Sequence, residues 1–258
     1  MVSTPMNNET AKILCKLNND FYRSQTESFS ETRKAPWEGW KRALSELHDN
    51  LFQSGKAISV CDMACGNLRF VEFLLEGFSD TAFEVYAVDD CDGLVPEKGQ
   101  VHFQKLDIVS TLLEGKSLSE TLDIPLCDLT VCFGFMHHVP FVEYRKRLLD
   151  ELIARTRVGG YVVISFWEFL NNDDLKKKAL ATHKQGCCDL GIEHLDEGDY
   201  LLGWRNIPGV YRYCHNFTEH EIAALLNGVS ERVQVVSRFL ADGRTGNLNS
   251  YVVFRVCL

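Results

Sequence analysis

The sequence predicts one α/β domain, with a seven-stranded, mostly parallel sheet, helices on both faces and an antiparallel hairpin at its C-terminal end. Three observations point there. From residue 57 onward, short apolar β-branched runs alternate with helix-like stretches, and repeated β-then-α order places the strands parallel. The last two strand-like runs, 233–239 and 250–256, are joined by a Gly/Asn-rich loop over 242–249 with no helix between them, the pattern of a hairpin. The chain has 258 residues, 45% hydrophobic and 24% charged, which suits one such domain and leaves little for a second.

The elements follow in order. Residues 1–55 read as an N-terminal helical extension, because apolar positions recur at helical spacing from Ile13 to Phe21 and from Trp37 to Leu51. Pro36 separates the two helices, since proline suits a first helical turn. The core, 56–167, opens with strand 57–63 (AISVCDM), a turn at Gly66 and a helix over 68–78. Strands 83–89 (FEVYAVD) and 101–107 (VHFQKLD) both finish on aspartate. Strand 128–135 (DLTVCFGF) and an amphipathic helix over 142–155 precede the fifth strand, 160–167 (GYVVISFW). Residues 168–216 lose this rhythm; polar, charged and rich in turns, they read as an inserted cap or an irregular excursion. Thr218 and Glu221 then form a capping box for a helix within 217–226, which leads into the hairpin of the 217–258 unit.

Composition excludes several classes of function. No apolar run reaches the about 20 residues that span a bilayer, and residues 1–10 lack the apolar stretch of a secretory signal. The ten cysteines are scattered through apolar runs with no C-x-x-C pair, which excludes a zinc-ligand spacing and favours free thiols in a reducing, cytoplasmic setting with no metal site. A net charge of −9 opposes general nucleic-acid binding, so any RNA substrate requires a local basic patch or a partner.

The strongest local signal is Asp62-Met63-Ala64-Cys65-Gly66-Asn67, between the first strand and the first helix of the core. Small residues at 64 and 66 let the backbone turn sharply and approach a ligand, and the following helix N-terminus offers unpaired N–H groups. Asp89 ends the second strand, where an acid accepts from ribose hydroxyls, with Asp90 beside it. Asp107, followed by Ile108, ends the third, where a carboxylate accepts from an exocyclic amine such as that of adenine. Phe133 and Gly134 end the fourth and floor the reacting end. Ligands of open α/β sheets bind at this carboxyl edge. Each aspartate alone is more often a turn residue; together they favour a nucleoside cofactor. The stretch lacks two glycines of the G-x-G-x-x-G that cradles a pyrophosphate, and no G-x-x-x-x-G-K-[ST] loop is present. S-adenosyl-L-methionine, which has no pyrophosphate, is the cofactor these residues favour.

The turn and the strand-end aspartates across 55–165 resemble those of class I S-adenosylmethionine-dependent methyltransferases, which implies their Rossmann-like fold and a small-molecule methyl donor. Five short blocks resemble more narrowly the tRNA wobble-uridine carboxymethyl methyltransferases. Phe29-Ser30-x-Thr32-Arg33-x-x-x-Trp37 is similar to that family's F-S-x-T-R-x-x-x-W. Asp62 and Cys65-Gly66-Asn67 match its D-x-G-C-G-N-G turn, with Ala64 and Leu68 in place of glycines. Asp89 with Asp92-Gly93-Leu94 resembles D-R-S-[DE]-G-L, Asp90 replacing the arginine. Met136-His137-His138 resembles V-H-H, and Arg212-Tyr213-x-His215-x-Phe217 resembles R-Y-Y-H-x-F. This resemblance implies methylation of a carboxylate on a modified uridine in tRNA. It also implies that Tyr22 and Arg33 fold over the cofactor, and it brings a small zinc-bearing partner subunit into question, since eukaryotic members work with one.

A carboxylate acceptor is ionised at neutral pH and needs an anchor rather than a base. Arg205 and Arg212, flanking the cap, are the candidate anchors, against the plain alternative of solvated surface arginines. For an amine or hydroxyl acceptor, His137 or His138 is placed to take the proton, though a histidine in such a turn is more often a packing residue, as is His215. Trp167, Trp204 and Tyr213 are candidates to stack on a base. Three functions compete: an RNA carboxyl methyltransferase, a small-molecule O- or N-methyltransferase, and a non-catalytic cofactor-binding subunit.

Overall fold

The computed structural model describes residues 6–31, 35–52, 56–91 and 101–258. Arg33 and the Asp92-Gly93-Leu94 stretch lie outside the described residues. Three N-terminal helices, α1 (Asn8–Ser24), α2 (Thr26–Glu31) and α3 (Glu38–Leu51), precede β1 (Ile58–Met63) and α4 (Arg69–Gly77). β2 (Phe83–Asp89), β3 (Val101–Lys105), α5 (Ile108–Leu113), α6 (Leu118–Thr121), β4 (Cys127–Cys132), α7 (Val142–Ala154) and β5 (Thr156–Trp167) continue the alternation. Then come α8 (Asp173–Leu190), β6 (Asp199–Gly203), β7 (Tyr211–His215), α9 (Glu219–Asn227), β8 (Val233–Ala241) and β9 (Asn249–Val256).

Seven strands form one sheet in the order β3-β2-β1-β4-β5-β9-β8. The first five pair in parallel, and β9 runs antiparallel to both β5 and β8. The order reverses between β1 and β4, the switch point where a crevice opens beyond the strands' carboxyl ends. Both faces of the central strands are buried, so their sequences read as continuous apolar runs. In β1, Ile58 and Val60 pack toward Leu44 and Leu47 of α3 and Leu74 of α4, whereas Cys61 and Met63 pack toward Leu148 and Leu152 of α7 and Ile222 of α9.

Two expectations are corrected. The third strand stops at Lys105, and Asp107 is the N-cap of α5, its carboxylate accepting the Ser110 N–H at 2.9 Å. Residues 168–216 are largely regular: α8 is capped by Asn172 at its start and by left-handed Gly191 at its end, and β6 and β7 form a separate two-stranded sheet. α8 packs on β6 and α1 on β7, so this unit holds the N-terminal helix. Leu14 of α1, Leu201 of β6 and Tyr213 of β7 share one small buried cluster. The Thr218–Glu221 capping box is present as expected. Among the described residues, no helix is long and apolar enough to cross a membrane.

Candidate active site

A cavity of about 450 Å³ occupies the crevice at the carboxyl ends of β1, β2 and β4. Its base is the turn after β1. Ala64, Gly66 and Leu68 all take left-handed φ, of 63°, 55° and 59°. Such backbone costs about 1–2 kcal/mol at a non-glycine residue, so packing holds Ala64 and Leu68 there. Leu68 is fully buried. The space where Gly66 would carry a Cβ is open, which leaves its backbone accessible. Asn67 lines the cavity beside it.

Asp62, Asp89, Asp90 and Asp107 line the cavity with this turn. Asp89 accepts the Gly66 N–H at 2.9 Å through one oxygen and the Cys91 N–H at 2.9 Å through the other. Burial raises its pKa, and these N–H donors partly offset the rise. Asp62 is deeper; burial, with the nearby Asp89 charge, pushes its carboxyl up to about 8, and its Oδ2 has no partner among the described residues. Asp107 accepts from Ser110 Oγ at 2.6 Å and from Asn19 Nδ2 at 2.6 Å, with buried Ile108 next to it in the wall. Asp90, also in the wall, is held by Arg23 at 2.7 Å. Phe133 and Gly134 floor the space beyond β4, where Gly134 has φ 63° and a Cβ would come within 2.9 Å of the Trp37 ring.

The far wall is formed by α1, β7 and the turn after β4. Arg212 of β7 is buried, with its guanidinium 5.6 Å from the Phe21 ring, 5.3 Å from that of Trp167 and 5.6 Å from that of Trp204. Its Nη1 donates to Tyr22 Oη at 3.4 Å, and its Nε has no partner among the described residues. His138 lies 2.7 Å from Tyr22 Oη through Nε2 and 3.0 Å from the Tyr213 carbonyl through Nδ1.

No family model matches the chain, and no curated protein matches it in sequence. Solved structures match it in fold. One is an S-adenosylmethionine-dependent methyltransferase of Methanosarcina mazei, 19% identical over 82% of this chain and 97% of that one, with a TM-score of 0.56. Another is the 1,6-didemethyltoxoflavin-N1-methyltransferase of Burkholderia thailandensis, solved with 1,6-didemethyltoxoflavin and S-adenosylhomocysteine; it is 19% identical, covers 100% of this chain and 94% of its own, and gives a TM-score of 0.60. The magnesium protoporphyrin IX methyltransferase of Synechocystis, solved with S-adenosylhomocysteine, is 14% identical over 92% and 96%, with a TM-score of 0.56. The chain has the fold of these methyltransferases.

Within that methyltransferase fold, the sequence-derived residues divide. Tyr22, Asp62, Ala64, Gly66, Asn67, Asp89, Asp90, Asp107, Ile108, Phe133, His138 and Arg212 all line the one cavity. Arg205 does not: it is exposed, paired with Glu31 at 3.5 Å and set against the Trp204 ring, so it is withdrawn as an anchor. Tyr213 is withdrawn as a stacking residue, because it is buried and its hydroxyl donates to Asp199 at 2.8 Å. His215 sits between Asp199 at 2.7 Å and Glu221 at 3.0 Å, a structural link from β7 to α9. Sequence reasoning missed Cys15, Asn18 and Asn19, which line the cavity from α1. The signal was the spacing Cys15, Asn18, Asn19, Tyr22, one face of a helix read only for its apolar positions.

Proposed function

We propose that the chain is an S-adenosylmethionine-dependent methyltransferase that esterifies a carboxylate on its acceptor. One observation carries the acceptor assignment. Arg212 is a buried guanidinium inside the cavity, ringed by aromatic residues, with an unpartnered Nε and no carboxylate paired to it among the described residues. A buried charge is expensive unless it is paired, and a planar carboxylate is the fork's natural complement.

The donor set fits the cofactor. Asp89 retains lone pairs for ribose hydroxyls, Asp107 with Ile108 suits an adenine amine, and the Ala64-Cys65-Gly66-Asn67 turn admits a close-lying chain. The Asp62 oxygen without a partner would face a cationic ligand. Tyr22, Asp90 and Phe133 close the sides. When bound, the cofactor supplies an electrophilic methyl on a positively charged sulfur. The chain's residues then orient the acceptor and exclude water. An acceptor carboxylate is ionised at neutral pH and needs no base.

The five sequence blocks support a modified wobble uridine of tRNA as the acceptor, in the cytoplasm, with a small partner subunit contributing phosphate contacts that a net charge of −9 does not favour. A free small-molecule acid is the second reading, favoured by the same charge. Methyl-labelled cofactor incubated with bulk tRNA and with a metabolite extract separates them. Base-labile label in tRNA supports the first, and label confined to metabolites overturns it. Calorimetry with no cofactor binding, together with no label anywhere, overturns the methyltransferase reading and leaves a non-catalytic subunit.

A further inference from the structure

Arg212 is one of two guanidiniums that line the cavity without an acid. The other is Arg69, the first residue of α4, three positions after Gly66 in the turn below β1. Its guanidinium is half-buried, 5.1 Å from the Trp37 ring and 4.8 Å from the Trp40 ring, so two indoles fix its place. An arginine carries five N–H donors. Here Nη1 donates to the Ala35 carbonyl at 3.1 Å, and no carboxylate bonds to the group among the described residues. Asp242 is the acid whose field reaches it, but the oxygens of Asp242 are committed elsewhere. Oδ1 accepts the Gly39 N–H at 3.0 Å, and Oδ2 accepts from Asn249 Nδ2 at 2.8 Å and from Tyr251 Oη at 2.6 Å. The Trp40 indole against Arg69 adds a further donor: it is 3% exposed, and its Nε1–H has no acceptor among the described residues. This end of the cavity is therefore supplied with donors and short of an acceptor, a state that costs free energy until a ligand fills it.

We propose that Arg69, held against Trp37 and Trp40, is a second carboxylate-binding group of the cavity, separate from Arg212. A carboxylate is planar, accepts only, and brings the negative charge that the guanidinium lacks. Two sources have this chemistry. One is the amino-acid end of the cofactor, and the position of Arg69 just past Gly66 favours it. The Asp62 oxygen without a partner, at the start of the same turn, suits the ammonium of that end, so one turn meets both of its charges. The other source is a second carboxylate on the acceptor, the first being held by Arg212. The first source rests on the methyl-donor reading above; the second does not.

Calorimetry on the full chain tests it, with circular dichroism confirming that each variant folds. The probes are S-adenosylhomocysteine and methylthioadenosine, which share the nucleoside thioether and differ in the amino-acid end. The unaltered protein is expected to bind the first more tightly. Arg69→Met is expected to weaken that binding about 10- to 100-fold and to close most of the gap between the two probes. Arg69→Lys, which keeps the charge without the planar fork, is expected to restore part of the gap. This outcome gives the site to the cofactor. If the gap survives Arg69→Met, the positional isomers of benzenedicarboxylate are titrated against benzoate, and a preference for a diacid that Arg69→Met abolishes gives the site to the acceptor. A surviving gap with no such preference overturns the proposal. Equal loss for both nucleosides also overturns it and leaves Arg69 as packing for the indoles. Failure of both nucleosides to bind the unaltered protein is instead a failure of the donor reading, and the diacid titration then decides Arg69 by itself.

Discussion

The Asp89 carboxylate and the Gly66 N–H lie 23 residues apart in sequence and 2.9 Å apart in space. This hydrogen bond joins the end of β2 to the turn after β1, so the acid proposed for the ribose also fixes the backbone proposed to pass beside the donor. Asp89→Ala is expected to weaken cofactor binding about 10- to 100-fold, the range of a lost hydrogen bond to a charged group. Calorimetric titration checks this, with circular dichroism confirming the fold. Unchanged affinity would remove Asp89 from the donor site.

Asp62 gives the site a pH signature. Its carboxyl titrates at about 8 in the folded chain against an ordinary value of 3.8, so between those values the folded state holds a proton that the unfolded state has lost. Stability therefore falls as pH rises through this window, and Asp62→Asn is expected to flatten that slope in melting curves from pH 6 to 9. A cationic ligand reverses the preference by stabilising the ionised form. Cofactor binding at pH 7 is expected to release protons, detected as a dependence of binding heat on the buffer's ionisation enthalpy, and the release should vanish in Asp62→Asn. Binding without proton exchange would sink the assignment.

The place of Arg205 outside the cavity is tested by the opposite expectation. Its side chain is 43% exposed, and an exposed ion pair is worth about 0–1 kcal/mol. Arg205→Ala is expected to leave cofactor affinity and methyl transfer within about twofold of the unaltered protein. A loss of tenfold or more would return it to the site.

Much of the fold was legible because the parallel strands are buried on both faces. The runs at 57–63 and 83–89 correspond closely to β1 and β2, and the hairpin loop to the turn between β8 and β9. The misreadings have physical causes. α8 carries its apolar residues sparsely, with Ala179 and Gly186 its only buried positions, so periodicity gave no stripe. Its caps were nonetheless present in Asn172 and Gly191. β6 and β7 owe their pairing to each other and to α1, a long-range contact that local pattern does not encode.

The cavity residues on strand ends were legible because sheet topology alone carries Asp62, Asp89 and Phe133 to one edge. Of those contributed by α1 and β7, Tyr22 came from the family resemblance and Arg212 was one of two candidate anchors, while Cys15, Asn18 and Asn19 were missed. Arg205 and Arg212 look alike in sequence, and only the fold turns Arg212 inward beneath Tyr22 while leaving Arg205 in solvent beside Glu31. The same holds for Tyr213 and His215, whose hydrogen bonds to Asp199 form only once β6 and β7 pair in register.

Arg212 separates function from stability most cleanly. A buried guanidinium with no acid beside it among the described residues is a burden on the fold, and replacing buried charges by apolar groups of similar volume is often neutral or stabilising by about 1–4 kcal/mol. Arg212→Met is therefore expected to hold or raise the melting temperature, by roughly 2–4 °C per kcal/mol in a chain of this size. The same substitution leaves an acceptor carboxylate unpaired in the cavity, a loss of about 2–5 kcal/mol, so turnover should drop by roughly two orders of magnitude or more. Arg212→Lys keeps the charge but not the planar fork and is expected to restore only part of it. Thermal melts and methyl-transfer rates on the three proteins decide the matter. If Arg212→Met instead melts well below the unaltered protein while its residual folded fraction turns over normally, the guanidinium is a packing element and the acceptor is held elsewhere.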